Sequence, residues 1–164
     1  MAQFEVERTA QPSLLDRLVD TAPGLADAPV TLAESVRRAK ASLQRDLEWL
    51  LNTRRTSAPA PEALEEVRNS VYHFGLPDVS SLSYDAPSDR ARLLRSIEET
   101  IATFEPRLVD VRVRASEEAS SSSHRELFFV IEGTFNLDPT PERVAYDTVL
   151  ELTKGECRVR GDRA

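Results

Sequence analysis

The spacing of apolar residues changes once along this chain, and that change limits the folds it can adopt. From Leu32 to Leu50, apolar residues recur at steps of three and four, which indicates one face of a helix. From Val109 to Val113 they recur at every second position, which indicates a half-buried strand. Helices followed by a run of strands predict an α+β domain. The helical stripe consists of Leu32, Val36, Ala39, Leu43, Leu47 and Leu50.

Two long helices are predicted in the first two-thirds of the chain. Thr31 and Glu34 form a capping-box pattern, so the first long helix begins there and runs to about Thr53 or Arg54. The second begins near Ser88 and ends around Phe104, because the proline that follows disfavours helical backbone in the residue before it. Its apolar stripe consists of Leu94, Ile97, Ile101 and Phe104.

The remainder of the chain predicts an antiparallel β-meander of three to four strands, on which the N-terminal helices pack. The first strand carries Val109, Val111 and Val113, and the polar stretch Ser116–His124 follows it as a hairpin loop. The later strands are Arg125–Asn136, Arg143–Leu152 and, after a Lys-Gly turn, Cys157–Arg160.

The domain boundary is placed at residue 30. Residues 1–30 form an extension with a short docking helix, and residues 31–164 form one α+β domain. In the extension, Ser13 is the predicted N-cap, with Asp16 three residues later. Three leucines share one side of this short helix, which predicts contact either with the protein's own core or with a partner. They are Leu14, Leu15 and Leu18.

The composition of the chain limits the classes of function that it can have. The chain of 164 residues has 21 basic and 28 acidic residues, a formal charge of −7, which argues against a protein that coats nucleic acid. The single cysteine, Cys157, and two histidines cannot supply a zinc site from nitrogen and sulfur ligands alone. The N-terminus, Met1–Arg8, lacks the apolar stretch of a signal peptide, which predicts a cytoplasmic protein.

Catalytic patterns do not emerge from the sequence. It contains no Gly-rich phosphate loop, GxSxG, HExxH or paired CxxC motif. A serine run beside His124 is more typical of a flexible loop than of a nucleophile and its base. The sequence therefore predicts no enzyme, no metal, no cofactor and no small-molecule substrate.

Two features are candidate binding residues, and each has two interpretations. Trp49 falls on the flank of the helical stripe near Arg45, where it either packs under the following loop or anchors an interface. Glu105, Pro106 and Arg107 stand at the helix-to-strand junction. They form either a local turn with internal salt bridges or a fixed pair of charges for a partner.

Several further motifs follow one another along the chain: SLLDRL (Ser13–Leu18), RDLEWLLNTR (Arg45–Arg54), FGLPD (Phe74–Asp78), FEPRL (Phe104–Leu108), YDT (Tyr146–Thr148) and GECRVRG (Gly155–Gly161). In this order they resemble the TssE subunit of type VI secretion systems. That family is similar to the baseplate wedge protein of contractile-tailed phages that is often labelled lysozyme-like. The resemblance covers nearly the whole chain.

The resemblance implies a structural subunit of a cytoplasmic baseplate, held at the inner face of the inner membrane through the assembled machine. It implies that Glu105, Pro106 and Arg107 contact the wedge core bundle built by TssF and TssG, with TssK as a further candidate partner. It also implies that an edge of the sheet is the template on which the first ring of contractile sheath subunits assembles.

Two other functions stay open at this stage. One is the equivalent wedge subunit of a phage tail or of another contractile injection particle. The other is a peptidoglycan hydrolase with Glu105 as its acid, although the lysozyme-like label is a historical name and a shared fold does not establish an activity.

Overall fold

The computed structural model describes residues 9–19, 30–58, 60–61, 63–78, 86–116, 126–138 and 140–162. Except for Ser116, the predicted loop Ser116–His124 lies outside these residues, as do residues 1–8 and 20–29 of the predicted extension. The helices are α1 (Leu14–Leu18), α2 (Leu32–Asn52), α3 (Glu65–Arg68) and α4 (Pro87–Phe104), with a 3-10 turn at Val71–His73. The strands are β1 (Leu108–Ala115), β2 (Glu126–Phe135), β3 (Glu142–Glu151) and β4 (Glu156–Asp162).

The four strands form one sheet in chain order, β1-β2-β3-β4, and every neighbouring pair is antiparallel. On β2 the residues that face the helices alternate with the others: Leu127, Phe129 and Ile131 are buried. The α+β fold, with N-terminal helices followed by an antiparallel meander, is confirmed.

The core lies between the sheet and the two long helices. α2 packs against β4, α4 packs against β1, and the two helices also touch each other. The predicted stripes face this core, since Leu43 and Leu47 of α2 and Ile101 of α4 are fully buried. Tyr146 of β3, also buried, donates its hydroxyl hydrogen to the carbonyl oxygen of Lys40 at 3.2 Å.

The predicted alternation is wrong at the start of β1. Val109 is 42% exposed, whereas Leu108 and Val111 are buried. The cause is a bulge: the pairing register with β2 shifts between Val109 and Arg112, and Asp110 has a φ of 54°. One extra residue in the strand therefore turns Val109 away from the core.

Residues 71–76, which follow α3, pack into the core at only some of their apolar positions. Leu76 is buried, and the ring of Phe74 packs edge-on against Phe104 with centroids 5.4 Å apart. Val71, by contrast, is 89% exposed, and Tyr72 also faces outward. Phe74 and Leu76 thus attach this segment to the core, whereas Val71 and Tyr72 face outward.

Gly75→Ala is expected to destabilise the fold, and Gly161→Ala is its matched control. Gly75 has a φ of 101°, and a Cβ atom there would lie 2.2 Å from the carbonyl oxygen of Thr53. A Cβ atom on Gly161 would meet nothing within 4 Å. We expect Gly75→Ala to lower the free energy of unfolding by about 1–3 kcal/mol in urea titrations. Equal stability of the two variants would contradict this account of the turn.

Candidate interaction surface

The junction between α4 and β1 fixes the position of two charged side chains. The backbone N–H of Glu105 still donates to the carbonyl oxygen of Ile101, at 2.8 Å, and so ends the helix. The backbone N–H of Leu108 then donates to the carbonyl oxygen of Glu105, at 3.1 Å, which closes a tight turn. Pro106 is the exposed corner of that turn, while Glu105 is buried. The turn therefore brings Glu105 and Arg107 to the same side.

Arg107 binds the carboxylate of Glu105 through two parallel hydrogen bonds. Nε of Arg107 lies 2.7 Å from Oε1 of Glu105, and Nη2 lies 2.5 Å from Oε2. The side chain of Glu105 is only 8% exposed, so this ion pair is largely removed from water. The hydrogen bonds to Glu105 raise the pKa of Arg107 despite its burial, which keeps the guanidinium charged.

The pair continues into a longer series of alternating charges. Nη2 of Arg107 also donates to Oδ2 of Asp46, at 2.7 Å. Oδ1 of Asp46 accepts from Nη2 of Arg45, at 2.8 Å, and Nη1 of Arg45 donates to Oδ1 of Asp16, at 2.7 Å. We call the five residues Asp16, Arg45, Asp46, Arg107 and Glu105 the charge chain. It joins α1, α2 and the α4–β1 junction.

Asp16 is the end of the charge chain that holds the N-terminal segment. Its Oδ2 accepts hydrogen bonds from the hydroxyls of Ser42, at 2.6 Å, and Ser13, at 2.7 Å. Burial alone would raise the pKa of Asp16, but the hydrogen bonds from Arg45, Ser13 and Ser42 outweigh it and hold the pKa well below its usual value. Asp16 is therefore ionised whenever the segment is docked at neutral pH.

The leucines of α1 do not join the protein's own core. Of the two contacts predicted for them, the one with that core is therefore wrong. Leu14, Leu15 and Leu18 are 72%, 48% and 74% exposed. Residues 9–19, which we call the N-terminal strap, are instead held by Asp16 and by Ala10. Ala10 is buried, and its N–H donates to the hydroxyl of Ser35 at 2.9 Å. The apolar side of α1 faces away from the domain.

Trp49 lies beside the charge chain and is 53% exposed, so the following loop does not bury it. The guanidinium carbon of Arg45 lies 4.9 Å from the centre of the indole ring, a cation–π arrangement. Arg45 is thus held on one side by Asp16 and Asp46 and on the other by an aromatic face. The predicted neighbours Arg45 and Trp49 do meet, on the surface of α2.

These residues form a preorganised surface suited to binding. Tryptophan and arginine are the residue types most enriched among energetic hot spots of interfaces. Because both arginines are already fixed by carboxylates, little side-chain entropy remains to be lost when a partner binds. Nη1 of Arg107 makes no hydrogen bond within the described ranges of the chain, and so it can donate to a partner's acceptor.

Sequence reasoning missed Asp46 and Ser42, which connect the predicted site residues. The signal was present, because Asp46 directly follows Arg45 and lies one turn after Ser42 on the flank of the apolar stripe. What the sequence did not reveal was that Arg107, distant along the chain, would reach the same carboxylate. Across the described residues, no group of three or more His, Cys, Asp or Glu side chains could hold a metal ion.

The chain is similar to a known protein family. A family model described as baseplate wedge protein gp25 matches residues 37–140, which include all of the charge chain except Asp16. No curated protein and no solved structure matches the chain. None of the helices within the described residues has both the length and the apolar character needed to cross a membrane.

Arg107→Ala is expected to destabilise the fold much more than Arg114→Ala. The first substitution leaves the buried carboxylate of Glu105 without its partner, at a cost on the order of 3 kcal/mol. Arg114 is 70% exposed and 3.9 Å from Glu132, so its loss should change stability by about 0.5 kcal/mol or less. Urea unfolding measures both. Similar losses of unfolding free energy in the two variants would show that the buried ion pair contributes no more to stability than the exposed one.

Arg45→Gln is expected to release the N-terminal strap, while Arg38→Gln is not. Arg38 lies on the same helix but pairs with Glu34 and not with Asp16. Without Arg45 the strap loses its main ionic contact, so trypsin should cleave after Arg17 several-fold faster. Mass spectrometry of the fragments over time provides the measurement. Unchanged cleavage at Arg17 would mean that Asp16 does not hold the strap.

Proposed function

Because the chain belongs to the baseplate wedge protein gp25 family, we propose that it links the wedge of a type VI secretion baseplate to the contractile sheath. The family gives the chain a structural role in the baseplate of a contractile injection machine. The narrower assignment is supported by the ordered motifs that resemble TssE, from SLLDRL to GECRVRG.

The observation that carries this proposal is the convergence of three of those motifs on the charge chain. SLLDRL contributes Asp16, RDLEWLLNTR contributes Arg45 and Asp46, and FEPRL contributes Glu105 and Arg107. Motifs that are far apart in sequence thus share one network, and Trp49 stands exposed next to it. We propose this surface as the site that docks on the wedge core bundle of TssF and TssG, with TssK as a further candidate partner.

The three residues of the Glu-Pro-Arg triplet have different roles in this proposal. Glu105 is buried, so it positions Arg107 and does not itself meet the partner. Pro106 is the exposed corner of the turn and limits the motion of the junction. Arg107 makes the contact, because Nη1 is left to donate to an acceptor on the wedge bundle. The three leucines of α1 are exposed near the same network and extend the docking surface.

The proposed mechanism is binding without turnover, at the cytoplasmic face of the inner membrane once the machine has assembled. The alternative of a peptidoglycan hydrolase requires Glu105 to reach a glycosidic oxygen. Its carboxylate is instead buried and accepts two hydrogen bonds from the guanidinium of Arg107, which argues against that role. Muralytic activity that disappears in Glu105→Gln would restore the hydrolase hypothesis.

A second candidate is the wedge subunit of a phage tail or of another contractile particle. It is favoured by the family match itself, which names a baseplate wedge protein without naming a secretion system. The fold and the docking surface would be the same in that case, and the partners would differ. An affinity pull-down from native cells, with mass spectrometry of the captured proteins, separates the two through the identity of those partners.

Trp49→Ala is expected to reduce recovery of the wedge subunits in that pull-down by about tenfold or more, an effect typical of a hot spot. Val71→Ala is the matched control, because Val71 is an apolar residue that is 89% exposed elsewhere on the chain. The double variant Glu105→Ala with Arg107→Ala should also lose the wedge subunits, without leaving either of the two charges unpaired. Unfolding curves establish that each variant is folded. Full recovery with Trp49→Ala and with the double variant would contradict the assigned surface.

A further inference from the structure

The two edges of the sheet differ in how their backbone groups are used. At the β4 edge, the side chain of Asn52 donates to the carbonyl oxygen of Cys157 and accepts from its N–H, both at 2.8 Å. At Val159, Glu48 accepts from the N–H at 3.1 Å, and Gln44 donates to the carbonyl oxygen at 2.8 Å. We call Gln44, Glu48 and Asn52 the polar ladder of α2.

The polar ladder occupies the positions that an added strand would need. Its three side chains are spaced four residues apart, so they lie on one face of α2 and run along β4. An incoming strand would have to replace four hydrogen bonds and push α2 aside. The neighbouring face of α2 carries Leu43 and Leu47, which are fully buried in the core. The β4 edge is therefore closed to strand addition in the folded protein.

At the β1 edge, fewer of the outward-pointing backbone groups are hydrogen-bonded within the described residues. Ser116 donates to the carbonyl oxygen of Phe128, and Arg114 pairs with Val130, so these residues turn their backbone groups toward β2. The backbone N–H and C=O groups of Val113 and Ala115, which alternate with them, point away from β2. The N–H of Val113 is capped by the carboxylate of Glu98, at 2.9 Å. The N–H of Ala115 has no acceptor within the described part of the chain.

The side chains along this edge define the chemistry of a matching strand. Arg112 and Arg114 project from one side of β1, and their side chains are 66% and 70% exposed. Val111 and Val113 project to the other side and lie in the core. Cross-strand pairs of opposite charge and of apolar residues stabilise a sheet, so a complementary strand alternates acidic and apolar side chains.

We propose that the β1 edge, around Val113 and Ala115, accepts an extended strand of a partner protein whose side chains alternate between acidic and apolar. This inference rests on the proposed function, in which the partner is a sheath subunit, and it assigns the edge at which that subunit adds. Among the described residues, only the cap from Glu98 has to be released, and the carboxylate of Glu98 retains Arg112 as a partner. The bulge at Asp110 limits the available edge to the second half of β1.

Ala115→Pro tests this assignment, with Ala115→Ser as the matched control. Proline removes an N–H that faces away from β2, at an exposed edge position where the sheet tolerates it, but its ring blocks an added strand. In the pull-down from native cells, we expect Ala115→Pro to retain the wedge subunits and to lose the sheath subunit by about tenfold or more. Ala115→Ser should behave like the parent.

Recovery of the sheath subunit at the parental level with a folded Ala115→Pro would overturn the assignment.

Hydrogen exchange on the parent protein gives a second test that requires no substitution. In the isolated protein, the amides of Cys157 and Val159 should be protected, whereas that of Ala115 should exchange at least about tenfold faster and become protected only in the complex with the sheath. Unchanged exchange at Ala115 in that complex would also overturn the assignment. A parent protein that captures neither wedge nor sheath subunits would instead contradict the proposed function, and the edge assignment with it.

Discussion

The ion pair between Glu105 and Arg107 is the contact on which the arrangement of the surface depends. A carboxylate that is 8% exposed needs a partner, and the turn at Pro106 supplies that partner from two residues later in the chain. Once Arg107 is fixed there, its Nη2 also reaches Asp46 on α2, and the series continues through Arg45 to Asp16. The buried carboxylate of Glu105 is thus connected through a continuous series of ion pairs to the N-terminal strap.

Helix α2 contacts three regions of this protein: the core, the charge chain and the β4 edge. One of its faces fills the core with Leu43 and Leu47, and one flank carries Asp46 of the charge chain next to the exposed ring of Trp49. Another face covers the β4 edge with its polar ladder. A sheet edge with unpaired backbone groups can pair nonspecifically with another strand, and side chains from α2 occupy the backbone groups of Cys157 and Val159 at this edge.

The fold could be predicted from sequence because its signals are local. The helical stripe and capping residue set α2, and the change to alternating residues sets the strands. The bulge at Asp110 could not be predicted, since the register between β1 and β2 produces it. For the site, Arg45, Trp49 and the Glu-Pro-Arg triplet could be predicted from the sequence, but only as separate candidates. Their connection through Asp46 depends on tertiary distance, which spacing along the chain does not encode.

The most direct test of the docking surface is site-specific photo-crosslinking in native cells, with benzoylphenylalanine in place of Trp49. The residue is 53% exposed beside the charge chain, so the probe would lie in the proposed contact. If this surface docks on the wedge, the crosslinked product contains a helical subunit of the wedge, identified by mass spectrometry. A product with a sheath subunit, or none in cells that assemble the machine, would contradict that docking.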